Sequence, residues 1–120
     1  MELSSKQQDF IMQHSLVVLS TLTKDTSPRS ILVEINKVDN DKLIITDNQM
    51  ETTQQNIKTN PKVCVLISDI ENYTYLKIDG EASYYDDGEY FEYVKNLPWN
   101  ALYTPKWAVV IKINNIKEVA

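Results

Sequence analysis

The alternation of hydrophobic and polar positions along the chain predicts six β-strands. In residues 30–38, for example, Ile31, Val33 and Ile35 fall on one face and polar residues fall on the other. The predicted strands cover residues 15–23, 30–38, 42–46, 62–68, 73–85 and 106–113. The fourth strand is hydrophobic on both faces, which is typical of a closed barrel or of a contact between subunits.

Three further segments, residues 4–14, 49–59 and 87–97, lack this alternation and predict short helices. Asn48 and Glu51 have the spacing of a capping box at the start of the second helix. Gly80 within the fifth strand predicts a bulge or a bend. No helix separates the first three strands. The order of elements therefore favours an antiparallel barrel, with helices at its ends, over a parallel sheet.

The composition is that of an ordinary globular protein, with 42% hydrophobic and 24% charged residues. A chain of 120 residues is expected to form one domain over residues 1–120. The net charge of −5 argues against binding to nucleic acid or to an anionic membrane. Without a long apolar stretch or a signal peptide pattern, and with one cysteine, the protein is expected to be cytoplasmic.

Counting residue types excludes several kinds of site. One histidine, His14, and one cysteine, Cys64, cannot form a zinc site, an intrachain disulfide or an iron–sulfur cluster. Two glycines are too few for a P-loop or a dinucleotide-binding fingerprint. His14 is interpreted as a helix-end residue and Cys64 as a small hydrophobic residue. We therefore assign no catalytic side chain and no metal ligand.

The junction between the third strand and the second helix is the best candidate binding site. Thr46 ends the strand, and Thr52 and Thr53 lie in the first turn of the helix, where unpaired amides and hydroxyl groups suit a phosphate. Glu51 competes for the same helix dipole, and a well-capped connecting helix is the alternative. Arg29, the only arginine, is either a phosphate ligand or a surface residue at a strand edge.

Tyrosines make up seven of the eleven aromatic residues, a bias seen at interfaces and in pockets for planar ligands. Tyr73, Tyr75 and Tyr85 share the face of the fifth strand opposite to its core residues. This face is predicted to form a subunit interface, with ordinary barrel packing as the alternative.

Three stretches of the sequence together resemble the pyridoxamine 5'-phosphate oxidase-like family of FMN-binding split barrels. They are residues 17–25 leading to Pro28, residues 44–63 and residues 77–82, and the resemblance covers about residues 5–116. It implies a mainly β (α+β) fold: a six-stranded antiparallel split β-barrel of the Greek-key type with short flanking helices. It also implies a homodimer that binds FMN in two sites at the subunit interface.

The resemblance also implies which residues bind the cofactor. Strand two would run beside the flavin, the end of strand three would follow the ribityl chain, and the first turn of the second helix would meet the phosphate. The residues in that order are Arg29, Ser30 and Ile31; Thr46, Asp47 and Asn48; and Thr52 and Thr53. Thr52 stands where many relatives have a lysine, and Ser27 where they often have an arginine. Weak affinity for FMN is therefore expected.

The function implied by the resemblance is that of an FMN-dependent oxidoreductase acting on a small molecule that the sequence does not identify. Oxidation of pyridoxamine phosphate itself is not favoured, because one arginine provides too few contacts for a second phosphate. The alternatives are a non-enzymatic protein that binds a flavin or another planar cofactor, and a dimeric split barrel without any cofactor.

Overall fold

The computed structural model describes residues 2–48, 50–102 and 107–119. The strands are β1 (Leu16–Leu22), β2 (Pro28–Asp39), β3 (Lys42–Asp47), β4 (Lys62–Asp69), β5 (Thr74–Tyr85) and β6 (Trp107–Val119). The helices are α1 (Ser5–Gln13), α2 (Glu51–Thr59) and α3 (Gly88–Lys95), and a short 3₁₀ helix covers Pro98–Leu102. None of the helices among the described residues is long and apolar enough to cross a membrane.

The six strands form a closed antiparallel barrel in the order β1-β2-β3-β6-β5-β4. The predicted mainly β barrel with short flanking helices is confirmed. Strands β1, β2 and β3 form consecutive hairpins. The chain then crosses to β4 and returns through β5 to β6, which pairs with β3 and closes the Greek-key barrel.

The barrel interior holds the main hydrophobic core. Its residues come from the inward-facing positions of the strands, which the alternation in the sequence predicts. Ile31, Val33 and Ile35 all pack on this core, as their spacing predicts. A second, smaller cluster lies outside the barrel, where Val94 and Leu97 cover the outer face of β3 and β6. Helix α3 therefore protects one side of the barrel.

The bulge predicted at Gly80 lies on the opposite strand. Asp79 pairs with Asn115 and Gly80 pairs with Ile113, so Asn114 is the extra residue. A Cβ atom on Gly80 would lie 2.5 Å from the carbonyl oxygen of Lys112, which is why glycine is required there.

The bulge also explains why β6 is longer than the predicted strand of residues 106–113. Ile113 and Ile116 are three residues apart, yet both pack on the main core. They pair with Gly80 and Ile78. The extra residue between them breaks the two-residue period, so the sequence pattern ends early although the strand continues to Val119.

Two predicted helix ends are wrong. The N-cap of α2 is Met50, whose side chain makes no capping hydrogen bond. The Met50 amide instead donates to the carboxylate of Asp47 at 2.7 Å. The predicted pair of Asn48 and Glu51 therefore forms no capping box. Helix α3 ends at Lys95, and Pro98 begins the 3₁₀ helix, which suits proline because its fixed φ fits a first turn.

Candidate functional site

The two halves of strand β2 pair with different neighbours. The strand pairs with β1 from Pro28 to Glu34, but its pairing with β3 begins at Ile35 and shifts register before Lys37. The first half of β2 therefore separates from the end of β3, where the chain turns into α2. This separation opens a gap in the outer surface of the barrel.

The gap contains a cavity of about 430 Å³, within the range of roughly 300–1,000 Å³ typical of small-molecule sites. Residues from β2, from the junction of β3 and α2, and from the 3₁₀ helix line it. They are Leu32, Val33, Glu34 and Asn36; Thr46, Asn48 and Met50; and Trp99 and Asn100.

A chain of hydrogen bonds fixes the polar side of this cavity. The Thr46 hydroxyl donates to Asn36 Oδ1 at 2.7 Å and accepts from Asn100 Nδ2 at 3.1 Å. Asn100 is 3% exposed, and its amide also donates to the carbonyl oxygen of Val94 at 2.7 Å. The 3₁₀ helix is thus held against the end of β3 by buried polar contacts.

Asn48 provides an acceptor without a partner beside the cavity. Its Oδ1 atom is buried and makes no hydrogen bond within the described residues. A buried acceptor in this state costs about 1–3 kcal/mol unless a donor reaches it. A ligand with N–H or O–H groups would supply that donor.

Asp47 and Tyr84 lie beneath the junction, at the end of the barrel interior. Asp47 is 2% exposed, and Tyr84 packs against the main core. Burial, and then the negative charge of Asp47, raises the pKa of Tyr84 well above its ordinary value. The tyrosine therefore remains protonated at any physiological pH.

Thr46 and Asn48 are the predicted cofactor residues that line the cavity, and Asp47 lies behind them. Thr52 is exposed in the first turn of α2. Thr53 is 6% exposed, on the helix that packs against β1. The strand–helix junction thus brings part of the predicted set to one place.

The predicted residues of strand two lie next to the cavity rather than in it. Arg29 is exposed, and its guanidinium donates to the carbonyl oxygen of Pro28 at 2.9 Å. The hydroxyl groups of Ser30 and Ser20 are 2.9 Å apart, and Ile31 packs on the barrel core. None of these three side chains reaches the cavity lining.

Several lining residues were not predicted as site residues. Glu34 and Asn36 had a signal in the sequence, because their strand face points away from the core. Trp99 and Asn100 had no signal in the sequence. Their position depends on the contact of the 3₁₀ helix with the end of β3, which lies more than fifty residues earlier in the chain.

Neither Cys64 nor His14 is among the described residues that line the cavity. Burial, and then the nearby carboxylate of Asp79, raises the pKa of the Cys64 thiol and disfavours the thiolate. His14 caps the end of α1, with its ring centroid 4.8 Å from that of Phe10 and Nε2 3.8 Å from Asp69. The structural roles interpreted from the sequence for these two residues stay predictions.

The family model described as pyridoxamine 5'-phosphate oxidase matches residues 3–116 of the chain. The chain belongs to this family. An uncharacterized protein of Methanocaldococcus jannaschii is 35% identical over 111 residues, which cover 88% of this chain and 73% of that protein.

Solved structures agree on the fold of this pyridoxamine 5'-phosphate oxidase family member. HupZ of Group A Streptococcus superposes with a TM-score of 0.88 at 21% identity, covering 98% of this chain and 94% of that chain. An FMN-binding protein from Syntrophomonas wolfei superposes with a TM-score of 0.78 at 20% identity, covering 94% and 83%. At these identities the likeness establishes the split-barrel fold.

The cavity of this family member fits one part of FMN and not the other. Leu32 and Trp99 are 67% and 56% exposed and offer apolar surface to a planar ring. The buried Oδ1 atom of Asn48 could accept a hydrogen bond from a ring N–H or a ribityl hydroxyl. Of the described residues lining the cavity, Glu34 is the charged one, and none is a lysine or an arginine. The lining thus fits a flavin ring and ribityl chain, but not a phosphate dianion.

Proposed function

We propose that this protein is a cytoplasmic flavin-binding oxidoreductase that acts as a homodimer. The observation that carries the proposal is the gap between β2 and β3. It places the unpartnered Asn48 acceptor beside a cavity that has exposed apolar surface from Leu32 and Trp99. Membership of the pyridoxamine 5'-phosphate oxidase family supports a flavin as the ligand.

The flavin ring would lie along the outer face of β2, and the ribityl chain would follow the junction of β3 and α2. Thr46 and Asn48 would contact the ligand through their side chains, whereas Ile31 and Thr53 face inward and would contribute only backbone groups. FMN is the flavin that the sequence resemblance implies.

The cofactor held by these residues would supply the hydride acceptor and the transfer of electrons to a second substrate, so the chain itself need not supply an acid, base or nucleophile. The residues of this chain would orient the ring and exclude water. The Asn100–Thr46–Asn36 hydrogen bonds hold the polar side of the cavity in place before a ligand arrives. This pre-organisation reduces the entropy cost of binding.

The homodimer is supported by an uncovered apolar surface. Leu16 on β1 and Leu32 on β2 are 64% and 67% exposed, and Val18 and Leu66 lie in the same row of paired positions as Leu32. We call these four residues the β4–β1–β2 face. Because Leu32 also lines the cavity, a second copy on this face would border the ligand.

The test is the visible absorbance spectrum of the purified protein after incubation with excess flavin and gel filtration. We expect a flavin spectrum that is bleached by a nicotinamide donor under anaerobic conditions and returns on exposure to air. A retained flavin that no donor reduces would indicate a non-enzymatic carrier. A colourless protein would indicate a barrel without a flavin and overturn the proposal.

A pair of variants connects the spectrum to the cavity. Asn48→Ala removes the unpartnered acceptor and should weaken flavin binding about two- to ten-fold, the effect of one hydrogen bond. Asn115→Ala, at an exposed position on β6, is the matched control and should bind flavin as the wild type does. Equal binding by the two variants would place the flavin elsewhere.

A further inference from the structure

The charged groups at the strand–helix junction are carboxylates. Glu34 lines the cavity, Asp47 lies directly behind the lining, and Glu51 occupies the first turn of α2. No lysine or arginine is among the described lining residues. Lys37 follows the lining residue Asn36 on β2, but its Nζ lies over the Tyr93 ring, 4.9 Å from the ring centroid. Arg29, earlier on the same strand, donates to the carbonyl oxygen of its neighbour Pro28.

The start of α2 is also partly neutralised by the chain itself. Asp47 accepts the amide of Met50 at 2.7 Å, so a carboxylate already occupies part of the positive end of the helix dipole. The first amide bonded within the helix is that of Gln54, to the carbonyl oxygen of Met50 at 2.7 Å. The amides of residues 51–53 can therefore receive an acceptor, and a hydroxyl oxygen meets that need without adding charge.

We propose that the cavity selects a flavin whose ribityl chain ends in a hydroxyl group, riboflavin, over its phosphate ester FMN. The inference rests on the proposed function and narrows its ligand. A terminal phosphate carries a charge of about −1.5 to −2 at neutral pH and would lie beside Asp47 and Glu51, while none of the described residues that line the cavity is a cation. Riboflavin offers the same ring and the same ribityl donors without this repulsion.

The experiment measures the dissociation constants of riboflavin and FMN by quenching of flavin fluorescence, at about 20 mM and about 200 mM salt. We expect riboflavin to bind more tightly than FMN in both conditions, and equal dissociation constants would contradict the selectivity. Raising the salt should strengthen FMN binding, because screening weakens repulsion, and should leave riboflavin binding unchanged. At a phosphate site lined by cations, FMN binding would instead weaken as the salt concentration is raised.

Glu51→Gln tests the source of the repulsion. It should strengthen FMN binding about two- to five-fold, the size of one charge at a helix terminus, and leave riboflavin binding as it was. Glu89→Gln is the matched control, because Glu89 lies in the first turn of α3, and it should change neither constant.

Two further results would overturn the inference in distinguishable ways. FMN that binds more tightly than riboflavin and weakens with salt would refute the selectivity and leave the flavin-binding proposal intact. Binding of neither flavin would refute both.

Discussion

The side-chain amide of Asn100 donates a hydrogen bond to the hydroxyl of Thr46, 3.1 Å away and 54 positions earlier in the chain. The same amide group donates to the carbonyl oxygen of Val94 at 2.7 Å. One buried side chain thus joins the 3₁₀ helix, the end of α3 and the end of β3 at the edge of the cavity.

Asn100→Ala should lower the free energy of unfolding by about 1–3 kcal/mol, because it removes the two hydrogen bonds that this buried amide donates to Thr46 and to the Val94 carbonyl oxygen. The Val94 carbonyl oxygen then keeps only its longer bond from the Leu97 amide at 3.3 Å. Urea denaturation measures the loss. The matched control is Asn96→Ala, since the amide of Asn96 donates to the carbonyl oxygen of Glu92 at 2.8 Å from an exposed position. Losses of equal size in the two variants would contradict a special role for the buried amide.

The sequence alone predicts the barrel well because its strands alternate with a simple period. Ile31, Val33 and Ile35 show the inner face of β2 directly, and Gly80 marks the bulge. The candidate site is harder to predict, since the cavity depends on where β2 leaves β3 and on the return of Asn100 to Thr46. Neither feature has a local pattern. The Asn48–Glu51 spacing even misleads, because the helix begins later than this pair predicts, with Met50 as its N-cap.

Gly80→Ala should destabilise the barrel by roughly 1–3 kcal/mol, the usual cost of overpacking a core. The new Cβ would lie 2.5 Å from the Lys112 carbonyl oxygen and 2.9 Å from Ile111 Cγ2. Thermal or urea unfolding measures this cost.

Gly88→Ala is the corresponding control, because a Cβ there meets nothing within 4 Å and only the φ of +83° opposes it. Its expected cost is about 1 kcal/mol. The prediction fails if Gly80→Ala is as stable as Gly88→Ala.

Leu16→Lys should convert the dimer to a monomer without unfolding it, because Leu16 is 64% exposed in the single chain and lies on the β4–β1–β2 face. Sedimentation velocity gives the oligomeric state. Ile70→Lys makes a similar change at a 79% exposed position in the turn between β4 and β5, outside both the β4–β1–β2 face and the tyrosine face of β5, and should remain dimeric. A monomeric wild type, or a dimeric Leu16→Lys, would argue against this interface.

Tyr84→Phe should remove part of the alkaline destabilisation of the protein. The pKa of Tyr84 is raised in the folded state. Above about pH 10 the tyrosine therefore loses its proton in the unfolded chain but keeps it in the folded protein. Its contribution to stability is complete below about pH 10 and declines as the pH rises further. The slope from this group is at most about 1.4 kcal/mol per pH unit and is reduced by the partial exposure of the ring.

Urea unfolding between about pH 9 and about pH 11 gives this slope for the wild type and for Tyr84→Phe. Tyr73→Phe, at an 86% exposed position, is the matched control and should keep the wild-type slope. Identical slopes for all three proteins would show that Tyr84 ionises equally in both states.

The one-sided pairing of β2 has a consequence for the amide protons of this strand. From Pro28 to Glu34 the ladder to β1 uses alternate backbone groups, and the other groups face the gap where β3 is absent. Alternate amides of this segment should therefore exchange with deuterium much faster than their neighbours. A ligand in the gap that accepts hydrogen bonds from these amides would slow their exchange, so the main chain of β2 would report binding directly.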